Sequence, residues 1–376
     1  MAWVEKRGTR WRVRFRATDG SVGTDSTHET FDAADLRCKQ VDIDQAYDTY
    51  LDPKAGRITL GQWVTIWERG HEAGRAKWAT YHSYLRNHIL PRFGDTPLTK
   101  ITRQAAKVFV KDLKQHLAER TAADVTSLLG LLMREAVADR RIGFNPCQGI
   151  RVMTGPRVER TPATAEQINR ITARIDRRSD QILVITAAYT GMRWGELSGL
   201  AKANTHLGDG LISVDPDKGA LDEVRGQLYL GPPKSAAAVR DVHLPPFLIT
   251  LLQEVIDSHD HDMVFCGARG AWLRRSAMSR RVWRPAVNGD PQAGNGPILE
   301  GMHFHDTRHT HKTWLIEDDI PEIAQARRLG HHLPGVNGIY SHVTPAMTQR
   351  VVTSLQHRWQ ATTPRKPTAE LRLRAA

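Results

Sequence analysis

The chain has 376 residues, with 53 Lys+Arg against 41 Asp+Glu and a formal net charge of +12. A hydrophobic share of 40% with 25% charged residues excludes a mainly disordered chain and a collagen. Three scattered cysteines, Cys38, Cys147 and Cys266, exclude a disulfide miniprotein and a thiolate zinc site, and they suit a reducing compartment.

The start, Met1-Ala2-Trp3-Val4-Glu5-Lys6, lacks the apolar stretch of a signal peptide, and no apolar run approaches the ~20 residues that span a bilayer. The composition therefore predicts a cytoplasmic protein with no membrane partner. The length predicts two or three domains. The basic excess suggests a polyanionic partner, most simply nucleic acid. That excess is uneven. Residues 1–55 carry 9 basic and 10 acidic residues, residues 56–150 carry 15 and 8, and residues 151–376 carry 29 and 23.

In chain order, Arg10-Trp11-Arg12-Val13-Arg14-Phe15-Arg16 alternates strictly. Period two predicts a strand with Trp11, Val13 and Phe15 on one face and four arginines on the other. Such a face is either a reader of DNA or a solvated strand face. Asp19-Gly20 signals a turn. A further short strand and a helix over Ala33–Tyr50 follow, with Leu36, Val41, Ile43 and Tyr47 inward. Asp52-Pro53-Lys54-Ala55-Gly56 reads as a linker.

Residues 58–150 read as a basic four-helix module. Leu60, Trp63, Ile66 and Trp67 are in helical phase. Tyr81, Tyr84, Leu85, His88 and Ile89 form a second series, stopped by Pro91. Thr102 is placed to cap a helix running to about Leu117. Val125 to Val137 mark a fourth helix, ended by Gly143 and Asn145-Pro146. The aromatics Trp63, Trp67, Tyr81 and Tyr84 are read as core.

After a second linker, Thr154 to Pro162, Thr164-Ala165-Glu166-Gln167 resembles a capping box. Helical patterning runs through Ile182–Tyr189. Short strands are expected at Leu211–Val214, Leu228–Leu230 and Val239–Leu244, and helices then resume to about Trp359. The tail 361–376 is basic and reads as a flexible arm.

Four clusters in this last segment have the residue types for chemistry. Arg193, just after Gly191 and opening a helical run with Glu196, sits where anions are favoured. Lys234 follows Pro232-Pro233 between two strand candidates. His305 and Arg308 lie i, i+3 on one helix face. Leu329-Gly330-His331-His332 is followed by Tyr340. Singly, each has a bland explanation: a local salt bridge, an exposed turn lysine, a surface histidine. Their joint order is the signal.

The ordered set Arg193, Lys234, His305-x-x-Arg308, Leu329-Gly330-His331 and Tyr340 resembles the tyrosine recombinases, the phage-type integrases. The likeness covers most of the chain. The fold it implies is multidomain and mainly α with a small β component. Residues 1–55 would be an arm-site DNA-binding domain (small sheet plus helix), 58–150 a helical core-site DNA-binding domain, and 160–360 an α-rich catalytic domain with a short antiparallel sheet. Ile89-Leu90-Pro91-Arg92-Phe93-Gly94 and Leu98-Thr99-Lys100-Ile101 carry the helical-domain likeness.

The resemblance implies a site-specific DNA recombinase that needs neither metal nor ATP and has no cofactor. Tyr340 would be the nucleophile, forming a 3′-phosphotyrosyl link. His305 would act in proton transfer, and Arg193 and Arg308 would hold the phosphoryl oxygens. Lys234, on the family's mobile β-hairpin, would protonate the leaving 5′ oxygen. His331 would add a hydrogen bond, with Glu196 supporting Arg193. Arg10, Arg12, Arg14 and Arg16 would contact arm-site DNA.

The implied partners are double-stranded DNA at core and arm attachment sites and a homo-tetramer on DNA. A directionality factor and a host DNA-bending protein are further candidates. The segment Thr344–Trp359 would pack on a neighbouring subunit. Thr307 and the Gly-rich stretch 333–339 depart from the usual pattern.

Three other readings stay open. The crowd His303, His305, His309 and His311 suggests a metal-dependent phosphodiesterase, although its aspartate is badly placed for one. A non-catalytic DNA-binding regulator of the same fold and a type IB-like topoisomerase are the others.

Overall fold

A computed structural model describes residues 1–17, 20–156, 160–290, 292, 294–332 and 342–362. The described residues are mostly helical and form three small antiparallel sheets. It divides into two compact units, Met1–Arg157 and Val158–Ala376.

The first unit holds two separate hydrophobic clusters, one within residues 2–50 and one within 58–152. In the first cluster, β1 (Ala2–Arg7), β2 (Arg10–Arg16) and β3 (Val22–His28) form an antiparallel sheet in the order β1-β2-β3. The alternation of β2 acts as its period requires. Val13 and Phe15 are buried and Trp11 is half-buried, whereas Arg10 and Arg16 are exposed. Arg14 donates to Glu5 at 3.3 Å across the sheet and to the Gly23 carbonyl at 3.1 Å.

Helix α1 (Phe31–Ala46) covers the apolar face, capped by the Thr30 hydroxyl. Its buried residues are Ala34, Cys38 and Val41, whereas Leu36, Ile43 and Tyr47 are exposed. The expected inward phase was therefore wrong for all but Val41. The reason is an ion pair: Arg37 on α1 donates through Nε (2.9 Å) and Nη2 (2.8 Å) to the buried Asp25 carboxylate on β3. That pair draws the helix against the sheet on its small-residue face. The Tyr50 hydroxyl donates to the same carboxylate at 3.0 Å.

In the second cluster, the helices are α2 (Leu60–Gly70), α3 (Arg75–Tyr84), α4 (Leu90–Phe93), α5 (Arg103–His116) and α6 (Glu119–Ala138). Thr59 and Gln62 make a capping box for α2, and the Thr102 hydroxyl caps α5 as expected.

Pro91 does not stop its helix. A π-turn, Leu85–Ile89, joins α3 to α4, and the Leu90 N–H reaches back to the Leu85 carbonyl. The wider turn lets the proline sit in the next helical turn without a clash. Helix α6 ends before Gly143, because Arg140 adopts a left-handed conformation (φ 54°). Trp63, Trp67 and Tyr81 are core residues, and the Trp63 indole donates to the Leu132 carbonyl at 2.9 Å.

The second unit has one core. Its helices are α7 (Ala165–Thr172), α8 (Arg178–Thr190), α9 (Trp194–Ser198), α10 (Pro246–Asp257), α11 (Arg275–Met278), α12 (Arg284–Asn288), α13 (Asp306–Glu317), α14 (Glu322–Leu329) and α15 (Pro345–Thr362). Thr164 and Gln167 form the expected capping box.

Strands β4 (Thr205–His206), β5 (Leu211–Ser213) and β8 (Asp241–His243) make one sheet, and β6 (Ala220–Val224) pairs β7 (Gln227–Gly231) in a hairpin. Helix α15 seats on its own unit: Val351 and Leu355 are buried, and Trp359 stacks on Phe247 at 4.3 Å. Among the described residues no helix is long and apolar enough to cross a membrane.

Candidate active site

Helix α8 ends at Gly191, which takes a left-handed cap (φ 65°) that frees the chain to turn. Two residues later Arg193 caps α9. Its backbone N–H donates to Glu196 Oε2 at 3.0 Å and its Nη1 to Oε1 at 2.7 Å. Glu196 is almost fully buried, and its Oε2 also accepts from Arg240 Nη2 at 3.0 Å. Burial alone would raise this carboxyl's pKa. Arg240 and Arg193 reverse that and hold it below the ordinary value, so Glu196 stays ionised between two cations.

Arg308 lies on α13, one turn from its N-terminal cap His305. It is buried. Its Nη1 donates to the Gly191 carbonyl at 2.6 Å, and its Nη2 donates to the Leu329 carbonyl and contacts His331 Nε2 at 2.8 Å. Burial, with Arg193 and Arg240 nearby, pushes the Arg308 pKa down to about 9. Gly330 ends α14 in a second left-handed cap, and its carbonyl accepts from Arg193 Nη2 at 3.4 Å. Each arginine thus bonds the carbonyl of a positive-φ glycine at a helix end, Arg308 that of Gly191 and Arg193 that of Gly330. A Cβ on Gly191 would lie 2.7 Å from His311 and Leu329, and one on Gly330 2.9 Å from the Ala237 carbonyl.

Desolvation first, then Arg308 and Arg193, drives the His331 pKa down to about 4. The ring is therefore neutral at physiological pH. Its Nε2 accepts from Arg308, which leaves the proton on Nδ1. His305 reaches solvent, yet the surrounding protein, Arg308 and His309 hold its pKa below the ordinary histidine value. It too is neutral at physiological pH, the state in which an imidazole accepts a proton.

The structure therefore brings Arg193, Glu196, His305, Arg308 and His331 together. Lys234 stands apart. It is exposed after Pro232 and the buried Pro233, and among the described residues no hydrogen bond or ion pair joins it to the cluster. Tyr340 and the Gly-rich stretch before it lie outside the described residues, as does the tail from 363 onward.

Three residues that support the site were not anticipated. Arg240 donates from Nε to the Arg328 carbonyl at 2.6 Å and from Nη1 to the Ala238 carbonyl at 2.7 Å, besides holding Glu196. Arg328 is buried and donates to His311 Nε2 at 2.8 Å and to the Tyr189 carbonyl at 2.9 Å. His311 Nδ1 donates to the Ala188 carbonyl at 2.9 Å. His311 is thus locked neutral in the core and not available as a ligand. Among the described residues no three His, Cys, Asp or Glu side chains gather as a metal site requires.

The model for the phage integrase family matches residues 161–347, and that for the phage integrase N-terminal SAM-like domain matches residues 59–114. The chain belongs to the phage integrase family, the tyrosine recombinases, and is a site-specific recombinase that cleaves and rejoins DNA.

Among relatives, the prophage phiRv2 integrase of Mycobacterium tuberculosis is 27% identical over 360 residues, covering 92% of each chain. The integrase of Mycobacterium phage D29 is 22% identical over 307 residues, covering 79% of this chain and 78% of that one. In fold, the chain is similar to the Tn1549 transposon integrase in complex with transposon right end DNA. That match has a TM-score of 0.63 at 18% identity and covers 78% of this chain and 98% of that one. It is also similar to the lambda integrase tetramer bound to a Holliday junction, with a TM-score of 0.55 at 18% identity, covering 89% of this chain and 97% of that one.

Proposed function

We propose that this recombinase integrates and excises a phage or integrative element, with Tyr340 as nucleophile and Arg193, Lys234, His305, Arg308 and His331 as its catalytic set. The observation that carries the assignment is the held pair Arg193 and Arg308. A guanidinium offers five N–H donors. Arg308 leaves Nε and part of Nη1 beyond its protein contacts. Arg193 leaves Nε and part of both Nη groups. Fixed planar donors of this kind suit the non-bridging oxygens of a phosphodiester, where charge grows in the transition state.

An unperturbed tyrosine has a pKa of about 10 and needs a base at neutral pH. Neutral His305 fits that role. Neutral His331, with its proton on Nδ1, would donate to a phosphoryl oxygen. Attack by the Tyr340 oxygen forms the Tyr–phosphate bond as the bond to the 5′ oxygen breaks, and Lys234 gives that oxygen its proton. The link conserves the bond's energy, so a 5′ hydroxyl from a partner duplex rejoins the strand without ATP.

In this reading residues 1–55 contact arm sites, 58–150 and 160–360 hold the core site, and four copies assemble on two duplexes. Arg10, Arg12 and Arg16 are the stronger arm-site candidates, since Arg14 already bonds Glu5 and Gly23, whereas Arg10 meets only the exposed Glu29, at 4.0 Å. A core-site duplex with a nick beside the scissile phosphate tests the reading. The chain should form a covalent adduct in chelator, and Tyr340→Phe should form none. An adduct in Tyr340→Phe, or one lost in chelator, overturns it. Efficient relaxation of plasmid lacking any cognate site would favour a topoisomerase instead.

A further inference from the structure

We propose that Arg274 is a positioning residue that sets the β6–β7 hairpin, and through it Lys234. The proposal rests on the assignment of Lys234 as the proton donor above. The hairpin has five paired positions, from Ala220↔Gly231 to Val224↔Gln227. Its tip is Arg225-Gly226, both with positive φ (51° and 76°), the pattern of a tight two-residue turn. A two-stranded hairpin is marginal in water, so neighbouring groups must order it.

The base of the hairpin is ordered by α9. A Cβ on Gly199 would lie 2.7 Å from the Leu221 nitrogen, an approach that a glycine allows, and one on Gly195 would lie 3.1 Å from the Leu221 carbonyl oxygen, a tight contact. The same short helix carries Arg193 and Glu196. Beyond the buried Leu221 the strand leaves the core, and Asp222, Glu223, Arg225 and Gly226 are exposed.

Arg274 reaches the tip from outside the hairpin. Arg274 Nη1 donates to Glu223 Oε1 at 3.2 Å and to the Gly226 carbonyl at 2.6 Å. Arg274 is itself fixed as the N-terminal cap residue of α11, whose Met278 is buried in the core. From the tip, β7 runs to Gly231, then Pro232 and the buried Pro233, and then Lys234. Proline rings fix φ, so this connection is stiff and passes the position of the hairpin on to the lysine.

The chemistry supplies a selective readout. With the natural substrate the departing 5′ oxygen takes a proton from Lys234 as its bond to phosphorus breaks. With sulfur in place of that bridging oxygen, the leaving group departs as a thiolate, because a thiol has a pKa of about 8.5. No donor is then needed. A variant that only misplaces the donor should fail on oxygen and succeed on sulfur.

The test measures the rate of covalent adduct formation by the full chain on two core-site duplexes, one all-oxygen and one carrying 5′-bridging sulfur at the scissile phosphate. The core sequence is taken from the junction between the element and its host chromosome. Arg274→Ala should be slowed about tenfold or more on oxygen and lie within about twofold of the natural protein on sulfur. Lys234→Ala should show the same pattern more deeply, by about 10²–10⁴-fold on oxygen. Glu223→Gln, which removes the other half of the clasp, should repeat the Arg274→Ala pattern in weaker form and serves if that variant folds poorly. Equal slowing on both substrates, no slowing on either, or faster cleavage of oxygen overturns the proposal. If sulfur fails to rescue Lys234→Ala, the assignment of Lys234 fails and the proposal falls with it. That result is distinct from a failure of Arg274→Ala alone.

Discussion

Arg193 and Arg240 share one buried carboxylate, yet the structure gives them opposite duties. The Arg240 side chain has no exposure, and that of Arg193 is 21% exposed. Arg240→Met leaves Glu196 buried with one cation instead of two. Breaking a buried pair costs about 3–5 kcal/mol, and the low end applies here because Arg193 remains. The Arg328 and Ala238 carbonyls also lose their donor, at about 1 kcal/mol together after relaxation. The sum is about 4 kcal/mol, or roughly 8–16 °C in Tm for a unit of this size.

Arg193→Ala leaves Glu196 with Arg240 and with the residue-193 backbone N–H, so it should cost only about 1 kcal/mol of stability. It removes a donor to the charged transition state, which costs about 10²–10³ in rate. Urea titrations and single-turnover adduct assays on both variants check the contrast. Arg240→Met at the natural protein's Tm, or Arg193→Ala losing as much stability as Arg240→Met, would refute the division.

Three further outcomes follow from the same geometry. Gly191→Ala forces a side chain into a left-handed position 2.7 Å from His311 and Leu329, and should lose about 2–4 kcal/mol in denaturant titrations. Burial and then Arg328 hold His311 well below the ordinary pKa of 6.5, so its contribution to stability is complete above about pH 6.5. As pH falls below that value the unfolded chain gains a proton that the native one refuses, and stability drops by about 1.4 kcal/mol per pH unit. His311→Asn should flatten this part of the acid limb in urea titrations. Deleting residues 1–55 should remove any arm-site footprint while adduct formation on core DNA persists, and a retained footprint would show that Arg10, Arg12 and Arg16 are not the contacts.

Much of this was legible in the residues. The alternation of residues 10–16 located β2, and Thr102 and Thr164 marked two helix starts. The spacing of His305 and Arg308 placed them on one helix end. The phase of α1 misled because large apolar residues were assumed to point inward, whereas the Asp25–Arg37 pair turned Ala34, Cys38 and Val41 to the sheet. Pro91 misled because a π-turn absorbs it.

The buried support of the site was harder to see, because a lone arginine in a short strand is ordinarily solvated. A signal existed nonetheless. Arg240 alternates with Val242 and Leu244, which puts it on the buried side of its strand. His311 shares a helix face with Arg308 and Leu315. What such patterns do not encode is the partner, and Glu196, Arg328 and the Gly191 and Gly330 carbonyls come from distant segments.

The most direct measurement is the identity of the covalent link. The protein would be trapped on a nicked core-site duplex, digested, and the DNA-bearing peptide sequenced by mass spectrometry. The account predicts a 3′-phosphate joined to the phenolic oxygen of Tyr340, with a 5′ hydroxyl on the released strand. A link to any other side chain, or to a 5′-phosphate, would contradict it.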